Sequence, residues 1–150
     1  REPFQFTPTS INAVLLTHAH IDHSGRIPLL YKEGFQGQVF ATLPTVQLTE
    51  VLWKDSAHLM SEEAEWKTRK NARKGLPPVE PLFDEGNVEE AIRFLSPVSY
   101  DDVIDIAPGI KARFRDAGHI LGSAILELFL NDGNREAKVV FLEIWALKNL

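Results

Sequence analysis

The chain has 150 residues, 44% of them hydrophobic and 25% charged, which is the size of about one domain and excludes a largely disordered protein. Its formal net charge of −5 argues against binding nucleic acid through overall positive charge. The absence of cysteine excludes a disulfide scaffold, a thiolate nucleophile and a zinc site built on sulfur, so any metal must be held by histidine and carboxylate.

Short apolar runs and turn residues predict the elements of the first half. Residues 13–17 and 38–42 are typical of buried strands, and Ser24 predicts the N-cap of a short helix that ends at Gly34. A long helix is expected from about residue 45 to residue 73, with an imperfect apolar face. That face would consist of Leu48, Val51, Leu52 and Leu59.

A second capping pattern and alternating strands follow in the second half. Asn87 predicts the N-cap of a helix with Glu90 at its third position, and the buried stripe of that helix would be Val88, Ala91, Ile92 and Leu95. Residues 110–115 alternate apolar and basic side chains, which predicts a strand with one buried face. Two further strands, joined by a tight turn, are expected at residues 123–130 and 138–142. The mixture of strands and helices predicts an α/β or α+β fold.

Histidines with metal-ligand spacing follow the first predicted strand. His18 and His20 are two positions apart, so in an extended chain their imidazoles share a face and converge on one point, as a metal requires. The chain must then turn, which lets Asp22 and His23 aim at a second point nearby. A fourth histidine, His119, lies in a glycine-flanked loop between two predicted strands, and such a loop can deliver an imidazole to a site built elsewhere.

This pattern fits two divalent ions that share one pocket. Imidazole and carboxylate ligands suit zinc, with manganese and iron as alternatives. A pair of ions about 3.5 to 4 Å apart can hold a hydroxide nucleophile and stabilise the leaving oxygen of a phosphodiester. We expect His58, inside the long helix, to be structural, and Asp116 to form a turn or support a ligand rather than bind metal directly.

At these residues the chain resembles the metallo-β-lactamase superfamily, whose HxHxDH motif matches HAHIDH at residues 18–23. Five stretches together are similar to the β-CASP branch of RNA-processing nucleases in that superfamily. They are LTHAHIDHSGRIPLLYKEGF at residues 16–35, ATLPT at 41–45, DSAH at 55–58, PPVEPLF at 77–83 and DAGHILGSA at 116–124. The resemblance extends over nearly the whole chain.

The resemblance implies a fold and a set of site residues. The fold is an αββα sandwich, in which two mixed sheets lie face to face with helices outside. His18, His20 and His119 would hold one zinc ion, and Asp22 and His23 would hold the other. His20 and Asp22 would be the catalytic residues, with a hydroxide attacking phosphorus and Asp22 orienting that water.

The chain departs from the family pattern in three places. In the family an Asp that bridges both metals ends a strand, and the aligned segment here, FLEIWA, has Ile144 at that position. Glu143 is one position away, and on a strand its side chain would point to the opposite face. The β-CASP cap domain and the family's first strands are also absent, so we expect residues 1–150 to form a single partial domain. An open sheet edge could then pair with another chain and give a homo-oligomer.

We therefore predict a metal-dependent hydrolase that cleaves RNA phosphodiester bonds, located in the cytoplasm and without a membrane span. The alternatives are an ester or thioester hydrolase with the same site, and an inactive fragment that lacks the bridging Asp and the cap. A basic run could contact RNA phosphates: Lys67, Arg69, Lys70, Arg73 and Lys74. Acidic partners one turn away favour a solvated helix face for this run instead.

Overall fold

Helices lie on one side of a parallel sheet, and an antiparallel sheet packs against its other side. The computed structural model describes residues 3–142. Its helices are α1 (Ile21–Ser24), α2 (Ile27–Lys32), α3 (Leu43–Ala72) and α4 (Glu85–Ile92), and a 3₁₀ turn covers Pro8–Ser10. Its strands are β1 (Ala13–Leu15), β2 (Gln38–Thr42), β3 (Leu95–Val98), β4 (Val103–Ala107), β5 (Ile110–Asp116), β6 (Ala124–Asn131) and β7 (Glu136–Phe141).

The two sheets differ in the direction of their strands. In the parallel sheet β2 lies between β1 and β3, and Val39 pairs with Val14 on one side and Leu95 on the other. In the antiparallel sheet β4 to β7 follow one another in sequence order. This architecture confirms the predicted mixture of helices and strands. Within the described residues neither sheet is mixed, which differs from what the family resemblance implies.

The order of the layers follows from the alternation of side chains along β2. Val39 and Ala41 point to one side and are fully buried against the helices, in a core that includes Trp53. Phe40 points to the other side and packs with Leu15 on the antiparallel sheet. Residues 3–142 therefore form helices, a parallel sheet and an antiparallel sheet, which are three layers of the predicted αββα sandwich.

Ser24 does not cap a helix as predicted. It is the last residue of α1, and its buried hydroxyl donates a hydrogen bond to the carbonyl of Ala19 over 3.0 Å. A separate helix, α2, starts at Ile27 because Pro28 lacks an N–H and fits only the first turn of a helix. The single helix expected up to Gly34 is therefore two short helices.

The apolar face predicted for α3 is wrong, although the long helix itself is confirmed. Val51 and Leu59 are 66% and 55% exposed. The face that packs on the sheet carries small or hydroxylated side chains around one aromatic ring, namely Thr45, Val46, Thr49, Trp53, Ala57 and Ala64. A search for large apolar residues misses this face, because threonine is a polar residue type that is usually exposed.

The N-cap of α4 is Asp84 rather than the predicted Asn87. Asp84 accepts a hydrogen bond from the backbone N–H of Asn87 over 2.9 Å, and the Asn87 side chain accepts one from the N–H of Asp84 over 3.1 Å. Asn87 therefore takes the third position of the capping box, which the prediction assigned to Glu90. Val88 and Ala91 of the predicted stripe are fully buried.

Two strands are absent from the prediction. β3 contains Pro97 and β4 contains Asp105, and both residue types interrupt the pattern that predicts a strand. Pro97 is tolerated because β3 lies at an edge of the parallel sheet within the described residues. The strands predicted in the last third of the chain are confirmed as β5, β6 and β7.

Candidate metal centre

The candidate site lies at the carboxyl edge of the parallel sheet. His18 and His20 occupy the connection from β1 to α1, directly past the end of the strand. The loop between β5 and β6, residues 117–123, reaches the same edge from the antiparallel sheet and is called the His119 loop below. Directly after this loop, the N–H of Ala124 in β6 donates to the carbonyl of Thr17, two residues past β1, over 2.8 Å. Histidines from the connections of both sheets therefore lie at the same edge.

Three of the predicted ligands converge at this edge. The ligand atoms of His18, His20 and His119 all lie within 4.8 Å of one another. Nε2 of His18 is 3.1 Å from Nδ1 of His20, and the ring centroid of His119 is 5.3 Å from that of His18 and 5.2 Å from that of His20. His18 is buried, and its other nitrogen, Nδ1, lies 3.0 Å from the hydroxyl of Thr17. This contact fixes the orientation of the ring.

The donor set fits one divalent ion. A tetrahedral zinc ion lies about 2.0 to 2.1 Å from each imidazole nitrogen, which separates two such nitrogens by about 3.3 Å. The observed 3.1 Å between the facing nitrogens of His18 and His20 is close to that separation. Three imidazoles with an open fourth direction are also a ligand set that zinc hydrolases use.

Asp22 and His23 lie beside this cluster without joining it. Their side chains contact each other, with Oδ2 of Asp22 3.4 Å from Nε2 of His23, and the Asp22 side chain is 77% exposed. The ring of His23 is 4.5 Å from that of His18, centroid to centroid. Among residues 3–142 the three histidines are the only group of three or more ligand side chains that could hold an ion. Glu143 and Ile144, where the family's bridging Asp aligns, lie outside the described residues.

The His119 loop is organised by side-chain hydrogen bonds. The hydroxyl of Ser123 accepts hydrogen bonds from the backbone N–H groups of His119 and Ile120, both over 3.1 Å. At the start of the loop, Oδ1 of Asp116 accepts a hydrogen bond from the N–H of Gly118 over 2.9 Å. Asp116 therefore forms the turn, in agreement with the expectation from the sequence.

Three hydroxyl groups at this edge are not among the predicted site residues, although two of them lie in the ATLPT stretch at residues 41–45. Thr42 ends β2, Thr45 lies in the first turn of α3, and both contact the His119 loop. Tyr100 follows β3, and its hydroxyl donates to the carbonyl of Ser123 over 2.8 Å. Burial raises the pKa of Tyr100, as does the negative charge of Asp116, so its hydroxyl stays protonated as a donor. Their position just past parallel strands, at the edge reached by the histidine motif, is the signal that would identify them.

Two of the five basic side chains that could contact RNA face acidic partners, as do two basic side chains of the antiparallel sheet. On α3, Lys67 and Arg69 each pair with a glutamate one turn away, as the sequence predicts. On the antiparallel sheet, Nε of Arg113 donates to the carboxylate of Glu127 over 2.6 Å, and Lys138 pairs with the same carboxylate. These two contacts lower the pKa of Glu127 to about 2. These four basic side chains therefore form ion pairs within the domain.

No helix among the described residues has the length and apolar content needed to cross a membrane.

The facing sheets and the histidine cluster define a candidate metal-binding domain of the metallo-β-lactamase fold. The structure is similar to a subclass B3 metallo-β-lactamase with an active-site glutamic acid, with a TM-score of 0.53 and 19% identity, over 92% of this chain and 43% of that one. It is similar to the Rm3 metallo-β-lactamase, with a TM-score of 0.52 and 18% identity, over 92% of this chain and 43% of that one. At this level of identity the likeness concerns the fold alone.

The chain belongs to the metallo-β-lactamase superfamily, since the model of the metallo-beta-lactamase superfamily domain matches residues 2–147. The membership predicted from the histidine motif is therefore confirmed. Over 131 residues, the chain is 39% identical to the transcription termination factor FttA of Methanosarcina mazei, covering 87% of this chain and 18% of that protein. Over 124 residues, it is 38% identical to Ribonuclease TTHA0252 of Thermus thermophilus, covering 83% of this chain and 24% of that protein. The chain thus spans about a fifth of the length of these relatives.

Proposed function

We propose that the protein containing this chain is a metal-dependent hydrolase of RNA phosphodiester bonds, in the β-CASP branch of the superfamily. The observation that carries the proposal is the convergence of His18, His20 and His119 from two distant parts of the sequence. One relative is named a ribonuclease and another a transcription termination factor, which supports RNA as the substrate. We further propose the cytoplasm as its location.

Each site residue has a role that its position supports. His18, His20 and His119 hold one ion, and Asp22 and His23 provide ligands for a second one. We propose zinc because nitrogen ligands in this number suit it, with manganese as the alternative. A bound divalent ion supplies positive charge that stabilises the developing charge on the phosphate and favours the ionised form of the attacking water.

The chain's own groups would orient the reaction. The Asp22 side chain is open to solvent at the edge of the histidine cluster, where its carboxylate can accept a hydrogen bond from the attacking water. His20 presents its Nδ1 toward Nε2 of His18, and its ring centroid lies 4.7 Å from that of His18 and 5.2 Å from that of His119. Loss of the His20 imidazole therefore breaks the contact that spaces the ligand nitrogens.

Hydrolysis of labelled RNA by the intact protein tests this proposal. The wild type is assayed with zinc and with a chelator, beside the variants His20→Ala and His58→Ala. We expect the chelator and His20→Ala to reduce cleavage to the same background. His58→Ala should cleave like the wild type, since His58 is 60% exposed on α3 and faces only the glutamates Glu62 and Glu85 in the contacts seen. Undiminished cleavage by His20→Ala would contradict the assigned role.

The same assay separates the alternatives. Chelator-sensitive hydrolysis of a thioester, without cleavage of RNA, would show an ester or thioester hydrolase. Bound metal without hydrolysis of either substrate would show a non-catalytic module. We also propose a homo-oligomer that forms through an open sheet edge, since within residues 3–142 β1 pairs with β2 alone.

A further inference from the structure

Two buried threonines hold the carbonyl group of Gly122 at the end of the His119 loop. The hydroxyl of Thr42 donates to this carbonyl oxygen over 2.5 Å, and the hydroxyl of Thr45 donates to it over 2.9 Å. Both threonines are buried, so water does not replace these bonds. A carbonyl oxygen has two lone pairs, so it can accept both bonds. The Thr42 hydroxyl oxygen also lies 3.1 Å from that of Thr45, and its single proton is directed to the nearer oxygen, that of Gly122. Thr42 and Thr45 are called the threonine pair below.

The backbone of Gly122 approaches the threonine pair too closely for any other residue. Its φ is +82°, in the left-handed region that favours glycine. A Cβ at this position would lie 2.6 Å from the backbone nitrogen of Thr45 and 2.8 Å from the hydroxyl oxygen of Thr42. The loop therefore rests directly on the junction between β2 and α3, with no side chain between them.

The next residue connects this junction to the ligand histidine. Ser123 follows Gly122, and its hydroxyl accepts the hydrogen bonds from the backbone N–H groups of His119 and Ile120. The N–H of Ser123 itself donates to the carbonyl of Ile120 over 2.9 Å. A displacement of Gly122 therefore moves the group that fixes the backbone of His119.

We propose that the threonine pair are positioning residues for His119: by holding the Gly122 carbonyl, they fix the loop that presents the His119 imidazole to His18 and His20. This inference rests on the proposed metal site. Neither threonine belongs to the group of side chains that could hold the ion. They act through the backbone of the loop, so their loss weakens the binding of metal without removing a ligand.

Titration of the intact metal-free protein with cobalt(II) tests the inference. Cobalt substitutes for zinc in nitrogen sites, and its visible absorption reports the number and geometry of its ligands. The Thr42→Val/Thr45→Val double variant keeps side-chain shape but removes both donors, whereas Thr42→Ser/Thr45→Ser keeps both hydroxyls. Thr49→Val is the matched control, because Thr49 is equally buried on α3 and no described group hydrogen-bonds its hydroxyl.

We expect the double valine variant to bind cobalt about tenfold or more weakly, with an altered absorption spectrum, as for other groups that orient metal ligands. The double serine variant and Thr49→Val should match the wild type in cobalt affinity and in absorption spectrum. If the double valine variant does not fold by circular dichroism, each single valine variant, which retains one donor, is titrated instead.

Equal affinity and equal spectra for the valine variants and the wild type would overturn the inference while leaving the metal site intact. Equal weakening by Thr49→Val would also overturn it, since any buried hydroxyl would then have the same effect. A wild type that binds no cobalt would overturn the proposed function and the inference together.

Discussion

Replacing Gly122 with alanine perturbs the contact between the His119 loop and the helix α3. The left-handed φ of +82° makes an L-residue cost about 1 to 2 kcal/mol more than glycine. The added Cβ would meet the nitrogen and hydroxyl of Thr45 at 2.6 and 2.7 Å, and such overpacking costs about 1 to 3 kcal/mol more. We therefore expect Gly122→Ala to lose about 2 to 5 kcal/mol of unfolding free energy.

The same loop contains a control that isolates the steric contribution. Gly118 also has a positive φ, of +64°, but no non-adjacent described atom lies within 4 Å of a Cβ added there. Gly118→Ala should therefore lose about 1 to 2 kcal/mol, from the backbone conformation alone. The effect of alanine on the unfolded chain is the same in both variants and cancels in the comparison.

Urea and thermal unfolding of the metal-free protein measure the difference between the two variants. A gap of about 1 to 3 kcal/mol lowers the melting temperature of Gly122→Ala by about 2 to 12 °C relative to Gly118→Ala. Working without metal separates the stability of the loop contact from the stabilisation that a bound ion adds. If the two variants unfold together, the close approach of Gly122 to the threonine pair is wrong, and the positioning argument built on it fails too.

Two further perturbations test the charge network and the core. The pKa of Glu127 is about 2, below its ordinary value of 4.5, because its carboxylate contacts Arg113 first and Lys138 second. These contacts therefore stabilise the folded protein above pH 4.5, and this stabilisation is lost as the pH falls through 2. Glu127→Gln should be less stable than the wild type to urea at pH 7, and the difference should shrink near pH 2; a constant difference would refute the assignment. Trp53→Phe removes buried ring atoms and the hydrogen bond from Nε1 to the carbonyl of Ser24 (3.0 Å), so urea unfolding should show a loss of about 2 kcal/mol, and no loss would contradict the packing.

The part of the site that the sequence predicts best is the part built from local spacing. His18 and His20 lie two positions apart directly after β1, and their rings do meet, with facing nitrogens 3.1 Å apart. Their separation depends on a few backbone angles, so a short motif predicts it. The position of His119 next to these two rings cannot be predicted from local spacing, because it depends on how the two sheets face each other. Its place at the site was predicted from the family resemblance, and the spacing alone did not require it.

The fold errors share a physical cause. The buried face of α3 carries mainly threonine and alanine, and the buried hydroxyl of Thr45 donates to the carbonyl of Gly122, far away in the sequence. The N-cap of α4 is Asp84 because a reciprocal bond with Asn87 is available there. In each case hydrogen bonding decides the outcome, whereas the prediction relied on hydrophobic period for α3 and on the wrong capping residue for α4.

The two sheets constrain the candidate site unequally. His18 and His20 follow a strand of the parallel sheet, whose position is fixed by pairing with β2 and by packing of Leu15 beneath it. His119 lies in a loop of the other sheet that has glycines near both ends. Glycine is conformationally free, so ordering the backbone of this loop costs more conformational entropy. Precise ligand geometry therefore requires contacts that tie this loop across to the parallel sheet. The hydroxyls of Thr42 and Thr45 are such contacts, which is why removing them should weaken metal binding although neither threonine belongs to the histidine cluster.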